Sequence, residues 1–360
     1  MFWDNNYITD SNQTSDVDIL SSRDVEVINK MGLIQLRGGN YHNASKYFEK
    51  MVALSPNDSE SHYHLGYCYQ LQKKYEPALK EYQKSLESNP LNTDALNNSG
   101  VIFTNQEKFK DAEKCFNLVL KVKPNNRDAL TNLGNLKFRQ EEFEKAIDCY
   151  LRLQIAGNND PLVFFNMGNC YYKTQDYEKA IHYFDAALAL QPLHLSAIIN
   201  LGLAYYQLEN FEESLRFFNK ALRLSPENAL VYFNIANTYK SLNKYDTAGL
   251  FYKKTIEKDP SIRLSYVYMA DVLFESGKIK EAEYYYNIAT GDNSSKAISF
   301  TNIGLQALRQ HHFKEALRYF DIALSVNENI PEIRYNKSHI YLLQGNFEEG
   351  WQEYEWRLKN

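Results

Sequence analysis

The chain has 360 residues, of which 44% are hydrophobic, 24% charged and 14% aromatic, and its formal net charge is −5. This composition indicates a folded, soluble protein. The slightly negative charge and the lack of a basic stripe argue against nucleic acid as a partner.

The first 24 residues form the first predicted element. They are rich in Asp, Asn and Ser, which predicts a disordered or loosely attached leader. They contain no basic run followed by an apolar stretch, so neither a secretory signal nor a membrane anchor is expected. Nowhere does the chain approach the ~18 consecutive apolar residues that a membrane span needs. We therefore expect a cytoplasmic protein without a membrane partner.

The rest of the chain, residues 25–360, repeats itself at a shift of 34 residues. Such a period redefines the fold, because each repeat is one supersecondary unit. The ten predicted repeats, the last one shortened, are 25–58, 59–92, 93–126, 127–160, 161–194, 195–228, 229–262, 263–296, 297–330 and 331–360.

Each repeat carries the signature of two packed helices. The eighth and twentieth positions are small and the twenty-fourth is aromatic, as in Gly134, Ala146 and Tyr150 of the fourth repeat. Small residues let two helix backbones approach closely, and the rings fill the space around the crossing. Most repeats have a proline at the thirty-second position, such as Pro124, which ends the second helix.

This pattern resembles the tetratricopeptide repeat, and YYKTQDYEKAIHYFDAALALQP (171–192) is close to its consensus. The resemblance covers residues 25–360 and implies an all-α fold, a right-handed superhelical solenoid of about ten helix–turn–helix repeats. Each repeat would bury its apolar face only against its neighbours. In this family the first helix of each pair lines the concave surface, where a partner segment is bound.

The cysteines and histidines do not indicate catalysis or metal binding. Cys68 and Cys170 share the tenth position, and Cys115 and Cys149 share the twenty-third, which predicts core residues. Neighbouring helices lie ~8–10 Å apart, too far for a relaxed disulfide between Cys115 and Cys149. No C-x-x-C spacing and no catalytic motif is present. We therefore expect no enzyme activity, no metal and no cofactor.

Asparagine recurs at two positions of the first helices that share one helix face. The sixth position holds Asn98, Asn132, Asn166, Asn200, Asn234, Asn302 and Asn336, and the ninth holds Asn135, Asn169 and Asn237. An amide both donates and accepts hydrogen bonds, so it can hold a peptide group of any sequence. An extended guest advances ~3.3 Å per residue while helices recur every ~10 Å, so about every third guest residue would meet an amide. The alternative is that these amides bond between neighbouring repeats.

Apolar side chains accompany the asparagines in the central repeats. The predicted contacts with a guest are Phe165 and Phe233 at the fifth position and Phe138, Tyr172, Tyr206 and Phe274 at the twelfth. The second position is acidic in the first four repeats and mostly apolar in the next five, with Leu230, Leu264 and Ile298 among them. An exposed apolar surface of this extent usually marks a binding site. We expect an extended peptide or protein partner with apolar anchors and a basic flank.

The final segment, NFEEGWQEYEWRLKN (346–360), leaves two other functions open. It resembles the segment that joins the repeats to the catalytic domain in bacterial glycosyltransferases related to the O-linked N-acetylglucosamine transferase. The chain could thus be the substrate-recognition region of such a transferase without its catalytic domain. It could also be a structural assembly subunit, because a terminal repeat needs a polar capping face. Trp351, Tyr354 and Trp356 predict a poorly covered face and possible self-association through the C-terminal repeat.

Overall fold

The computed structural model describes residues 24–289, 293–309 and 311–356. In these ranges the chain forms twenty α-helices and no strand. Each predicted repeat contains two consecutive helices, and this all-helical architecture confirms the all-α repeat fold. Apart from Asp24, the predicted leader lies outside the described residues.

Each repeat has a first helix and a second helix. The first helices of the ten repeats are α1 (Val25–Arg37), α3 (Ser59–Leu71), α5 (Thr93–Asn105), α7 (Arg127–Arg139), α9 (Pro161–Lys173), α11 (Leu195–Gln207), α13 (Ala229–Ser241), α15 (Arg263–Glu275), α17 (Asn293–Arg309) and α19 (Pro331–Leu343). The second helices are α2 (Tyr41–Leu54), α4 (Tyr75–Ser88), α6 (Phe109–Val122), α8 (Phe143–Ile155), α10 (Tyr177–Leu190), α12 (Phe211–Leu224), α14 (Tyr245–Lys258), α16 (Ile279–Ala289), α18 (Phe313–Val326) and α20 (Phe347–Glu355).

The chain divides into two compact units, Met1–Asp176 and Tyr177–Asn360. The first unit contains α1 to α9 and the second contains α10 to α20. Within each unit, the two helices of a repeat pack on each other, and the second helix also packs on the first helix of the next repeat. None of the helices in the described ranges is long and apolar enough to cross a lipid bilayer.

Capping side chains and tight turns set where the helices begin and end. Asp58, Asn126 and Asn228 each end one repeat and cap the first helix of the next by accepting a hydrogen bond from a backbone N–H of its first turn. The turn between the two helices of a repeat has a residue with positive φ at the fifteenth position, such as Gly39 and Lys73. Its neighbour closes the turn, as when the Lys74 N–H donates to the Tyr69 carbonyl at 2.8 Å.

One helix boundary differs from the predicted repeat. α17 begins at Asn293, whereas the ninth repeat was predicted to begin at residue 297. No proline precedes this repeat, so nothing in the sequence prevents the helix from starting one turn earlier. The fourth repeat also lacks the proline, and there the second helix, α8, ends near Gly157, which has a φ of +81°.

The crossing of the two helices in a repeat depends on the predicted small and aromatic positions. A Cβ atom placed on Gly100 would lie 2.5 Å from the ring of Phe116, and one on Gly202 would lie 2.7 Å from the ring of Phe218. Both rings are fully buried. Because these distances are shorter than any normal contact, a larger side chain would push the two helices apart.

The four cysteines are free thiols inside this core. Cys68, Cys149 and Cys170 are buried and Cys115 is half-buried. Burial raises the pKa of Cys68 and Cys170 to about 12. It raises the pKa of Cys115 and Cys149 to about 11. The native state therefore holds thiol protons that the unfolded chain releases near its ordinary pKa of 9.0.

We predict opposite effects for two glycine substitutions in the second unit. Gly202→Ala should lower the free energy of unfolding by about 1–3 kcal/mol, because the new methyl group overlaps the Phe218 ring. Gly249→Ala should raise it by about 0.5–1 kcal/mol, because its Cβ meets only ordinary contacts at 3.7 Å and alanine favours a helix. Urea unfolding followed by circular dichroism measures both. Equal effects would contradict the crossing geometry.

We also predict that the protein loses stability as the pH rises above 9. The native thiols keep their protons while those of the unfolded chain ionise, which favours unfolding by on the order of 1 kcal/mol per buried thiol at about pH 10. The loss in urea midpoint between about pH 8 and pH 10 should be smaller in Cys68→Ala/Cys170→Ala than in the original chain. An equal loss in urea midpoint in the variant and the original chain would show that the native fold does not protect these thiols from ionisation.

Candidate functional site

The predicted asparagine row joins neighbouring first helices in the first unit. Asn132 Nδ2 donates to Asn97 Oδ1 at 3.1 Å, and Asn166 Nδ2 donates to Asn135 Oδ1 at 3.1 Å. The Tyr150 hydroxyl donates to the same Asn135 oxygen at 2.7 Å. Inter-repeat bonding, the alternative left open by the sequence, is therefore present at Asn132 and Asn166. Each bond uses one of the two N–H groups of the donating amide.

The remaining predicted residues of the first unit lie on the same helices. Asn98, Phe138, Phe165, Asn169 and Tyr172 are all half-buried. The Asn98 amide opposes the rise that burial causes in the pKa of Tyr63 and of Tyr82. The ring of Phe138 meets that of Phe143 edge-on, with 5.4 Å between their centroids. Their side chains thus combine packing with partial exposure.

Carboxylates line the start of the first helices in the first unit. Glu26, Glu60, Asp94 and Asp128 are exposed, each at the second position of its repeat. Burial and the charges of Asp58 and Asp94 raise the pKa of Glu60. Burial and the charge of Asp94 raise the pKa of Tyr63 to about 12. The surface around these residues is negative, as the sequence predicted.

An apolar row occupies the same register in the second unit. Leu230, Leu264 and Ile298 occupy the second position of successive repeats and are 60%, 55% and 61% exposed. Phe233 and Val267, one turn further along, are half-buried and pack on the core. Three large aliphatic side chains at equivalent positions form the exposed apolar surface that the sequence indicated.

Other residues of these first helices line a cavity of about 590 Å³ in the second unit. Four predicted residues line it: Tyr206, Asn237, Phe274 and Asn302. Further lining residues include Lys240, Ser241, Tyr268, Asp271, Glu275, Tyr286, Gln306 and Arg309. Within the described part of the chain, no group of three or more His, Cys, Asp or Glu side chains is placed to hold a metal ion.

Hydrogen bonds and charges fix the polar side chains of this cavity. Lys240 Nζ lies 2.9 Å from Asp271 Oδ2 and 4.3 Å from the centre of the Tyr268 ring. The hydroxyl of Tyr286 donates to the other Asp271 oxygen. Burial and the Asp271 charge raise the pKa of Glu275, while Lys240 and Arg309 oppose this shift. The cavity therefore offers carboxylates, amides and aromatic faces to a guest.

The predicted asparagines of the second unit differ in their hydrogen bonds. The Tyr252 hydroxyl donates to Asn237 Oδ1 at 2.7 Å, and Asn336 Nδ2 donates to the Glu332 carbonyl of its own helix at 2.8 Å. Asn234 is half-buried and Asn302 exposed, and among the described residues no hydrogen bond of either side chain is found. Asn200 is half-buried.

The structure corrects the prediction for Phe274. Its side chain is only 2% exposed and belongs to the hydrophobic core of the second unit. Tyr206, at the same repeat position, is half-buried, and its hydroxyl lies 2.9 Å from Ser241 Oγ. The Phe274 ring instead packs with the core residues of the second unit and forms part of the cavity wall.

Sequence reasoning missed the charged residues of the cavity, although the repeat register contains their signal. Asp271 occupies the ninth position, where Asn237 stands in the preceding repeat. The tyrosine of the second helix donates to both, from Tyr252 to Asn237 and from Tyr286 to Asp271. Lys240 occupies the twelfth position, where Tyr206 stands one repeat earlier.

Comparison with protein families agrees with the repeat fold. One model described as a tetratricopeptide repeat matches residues 161–227 and 195–261, and a second matches 100–161 and 301–355. A model described as anaphase-promoting complex, cyclosome, subunit 3 matches residues 37–97. The tetratricopeptide matches together cover more than half of the chain, which therefore belongs to the tetratricopeptide repeat proteins. No curated protein matches the chain.

Three solved structures show the same fold. The C-terminal part of a tetratricopeptide repeat protein from Cytophaga hutchinsonii has a TM-score of 0.56 and 18% identity, over 67% of this chain and 98% of that one. A tetratricopeptide repeat protein from Parabacteroides merdae has a TM-score of 0.51 and 14% identity, over 70% of this chain and 100% of that one. Pseudomonas aeruginosa PilF has a TM-score of 0.51 and 20% identity, over 61% of this chain and 96% of that one. Tetratricopeptide repeats generally mediate protein–protein interaction, through the extended surfaces that stacked repeats create.

We predict that two pairs of asparagines can be separated by their effects on stability. Asn132→Ala/Asn166→Ala removes two inter-repeat hydrogen bonds and should lower the free energy of unfolding by about 1–3 kcal/mol. Asn234→Ala/Asn302→Ala removes side chains without such bonds and should change it by less than about 0.5 kcal/mol. Urea unfolding of both variants checks this. A large loss in the second pair would assign these asparagines to folding.

Proposed function

We propose that the chain is a non-enzymatic scaffold that binds an extended segment of a protein partner along the first helices. The main support is the row of exposed Leu230, Leu264 and Ile298 on first helices of the second unit. We call this row, together with Asn234 and Asn302, the first-helix face. A large apolar side chain gains ~1.5–3 kcal/mol when it is removed from water, so covering this row favours association.

The amides of the first-helix face suit the main chain of a guest. Asn234 lies one turn after Leu230, and Asn302 lies one turn after Ile298, so each amide stands beside an apolar contact. An asparagine can donate to a peptide carbonyl and accept from a peptide N–H. Each such bond contributes ~0.5–1.5 kcal/mol net, so the amides add little affinity. Because they contact main-chain groups, they allow guests of different sequence to bind.

Charges favour basic residues in the guest. In the first unit, the exposed Glu26, Glu60, Asp94 and Asp128 form a negative surface. Such a surface attracts ammonium and guanidinium groups. The cavity of the second unit adds no net negative charge, because Lys240 is paired with Asp271 and Arg309 acts on Glu275. The negative surface of the first unit therefore supports a guest that combines apolar anchors with lysine or arginine.

A selection from random peptides tests the proposal, because it requires no identified partner. A phage library of peptides about 12 residues long should yield binders rich in apolar and basic residues when selected on the full chain. Leu230→Glu, Leu264→Glu and Ile298→Glu should each weaken a selected peptide about 5- to 100-fold in fluorescence anisotropy, because a carboxylate replaces an apolar contact.

The matched control is Leu193→Glu, since Leu193 is 68% exposed but precedes α11 in a loop outside the first-helix face. Its binding should equal that of the original chain. Selected peptides that bind all four variants equally, or that are enriched in acidic residues, would contradict the proposal.

A further inference from the structure

The second helices of repeats 7 and 8 carry a surface that departs from the rest of the repeat series. The twenty-second position of a repeat points to solvent and is polar in eight repeats: Lys46, Lys80, Lys114, Asp148, His182, Arg216, Arg318 and Gln352. Repeats 7 and 8 instead have Leu250 and Tyr284. These two side chains are 64% and 62% exposed, and Ile288, one turn after Tyr284, is 44% exposed.

Neither packing nor the first-helix face accounts for these residues. Leu250 and Tyr284 lie on α14 and α16, whereas the first-helix face lies on α13, α15 and α17. The polar residues at the equivalent positions show that the fold does not require an apolar side chain there. Exposed apolar side chains at equivalent positions of adjacent repeats lower the solubility of a protein. Their presence here therefore indicates a surface that is covered by a partner when the protein functions.

Charged residues around this patch make it complementary to itself. Asp246 precedes Leu250 by one turn on α14, and Lys280 precedes Tyr284 by one turn on α16. Asp246 is 83% exposed at its side chain, even though Lys278 Nζ lies 3.1 Å from it. Lys280 is also exposed. One edge of the patch thus carries opposite charges at equivalent positions of adjacent repeats.

We propose that this patch, formed by Leu250, Tyr284 and Ile288, binds a second copy of the chain. A twofold axis parallel to the two helices sets Leu250 against Tyr284 of the second copy. The same axis sets Lys280 against Asp246 of the second copy, so each apolar and each ionic contact occurs twice. Two helix surfaces offer less than the ~800 Å² per partner of a standard interface, so the dimer is weak, with a dissociation constant in the micromolar range.

Sedimentation velocity of the full chain between about 1 and 100 µM tests the proposal. The original chain should dimerise over this range. Leu250→Lys and Tyr284→Lys, which introduce residue types found at this position in other repeats, should raise the dissociation constant at least about tenfold. The matched control is Leu193→Lys, because Leu193 is a similarly exposed leucine elsewhere in the second unit. This variant should leave the dissociation constant unchanged.

A charge exchange distinguishes this pairing from other contacts. Lys280→Asp alone should weaken the dimer, and Lys280→Asp/Asp246→Lys should restore it, because the ionic contacts re-form with their signs exchanged. A chain that stays monomeric at 100 µM overturns the proposal. So does a dimer that survives Leu250→Lys but is lost in Trp351→Lys, which would place the interface at the last repeat. Peptide binding by the first-helix face should be the same in Leu250→Lys.

Discussion

The contact between a small residue at the eighth position and an aromatic ring at the twenty-fourth is the constraint on which the structure depends. Glycine at positions such as Gly100 and Gly202 brings the two helices of a repeat so close that the ring fills the space a Cβ would need. Within each unit, such a pair of helices buries its remaining apolar surface against the neighbouring repeats. Stability then comes from a series of equivalent contacts.

Close packing of the two helices decides which positions of a repeat can vary without disturbing the fold. The positions that face the crossing are filled by glycine, alanine and rings, so the second, sixth and ninth positions of the first helices can vary. In the first unit they carry carboxylates and hydrogen-bonded amides, and in the second they carry Leu230, Leu264 and Ile298. The asparagines form two groups, since Asn132 and Asn166 make hydrogen bonds between repeats while no such bond of Asn234 or Asn302 is found among the described residues.

The repeat register predicted the helices well because a 34-residue period and its small residues are local properties of the sequence. It also located the row of Leu230, Leu264 and Ile298, which is exposed in the structure. The prediction that Phe274 contacts a guest was wrong, because the burial of its ring depends on packing between repeats. A single register position does not specify that packing. Lys240 and Asp271 were missed because their pairing at 2.9 Å joins two repeats that the sequence treats separately.

Photo-crosslinking tests the central claim, that a partner segment lies along the first helices, most directly. A photoreactive phenylalanine analogue placed at Leu264 and, in a second protein, at Leu193 probes two exposed leucines of the same unit. With a selected peptide bound, irradiation should link the peptide from position 264 and leave it unlinked from position 193. Equal linkage from both positions, or linkage from position 193 alone, would contradict this account.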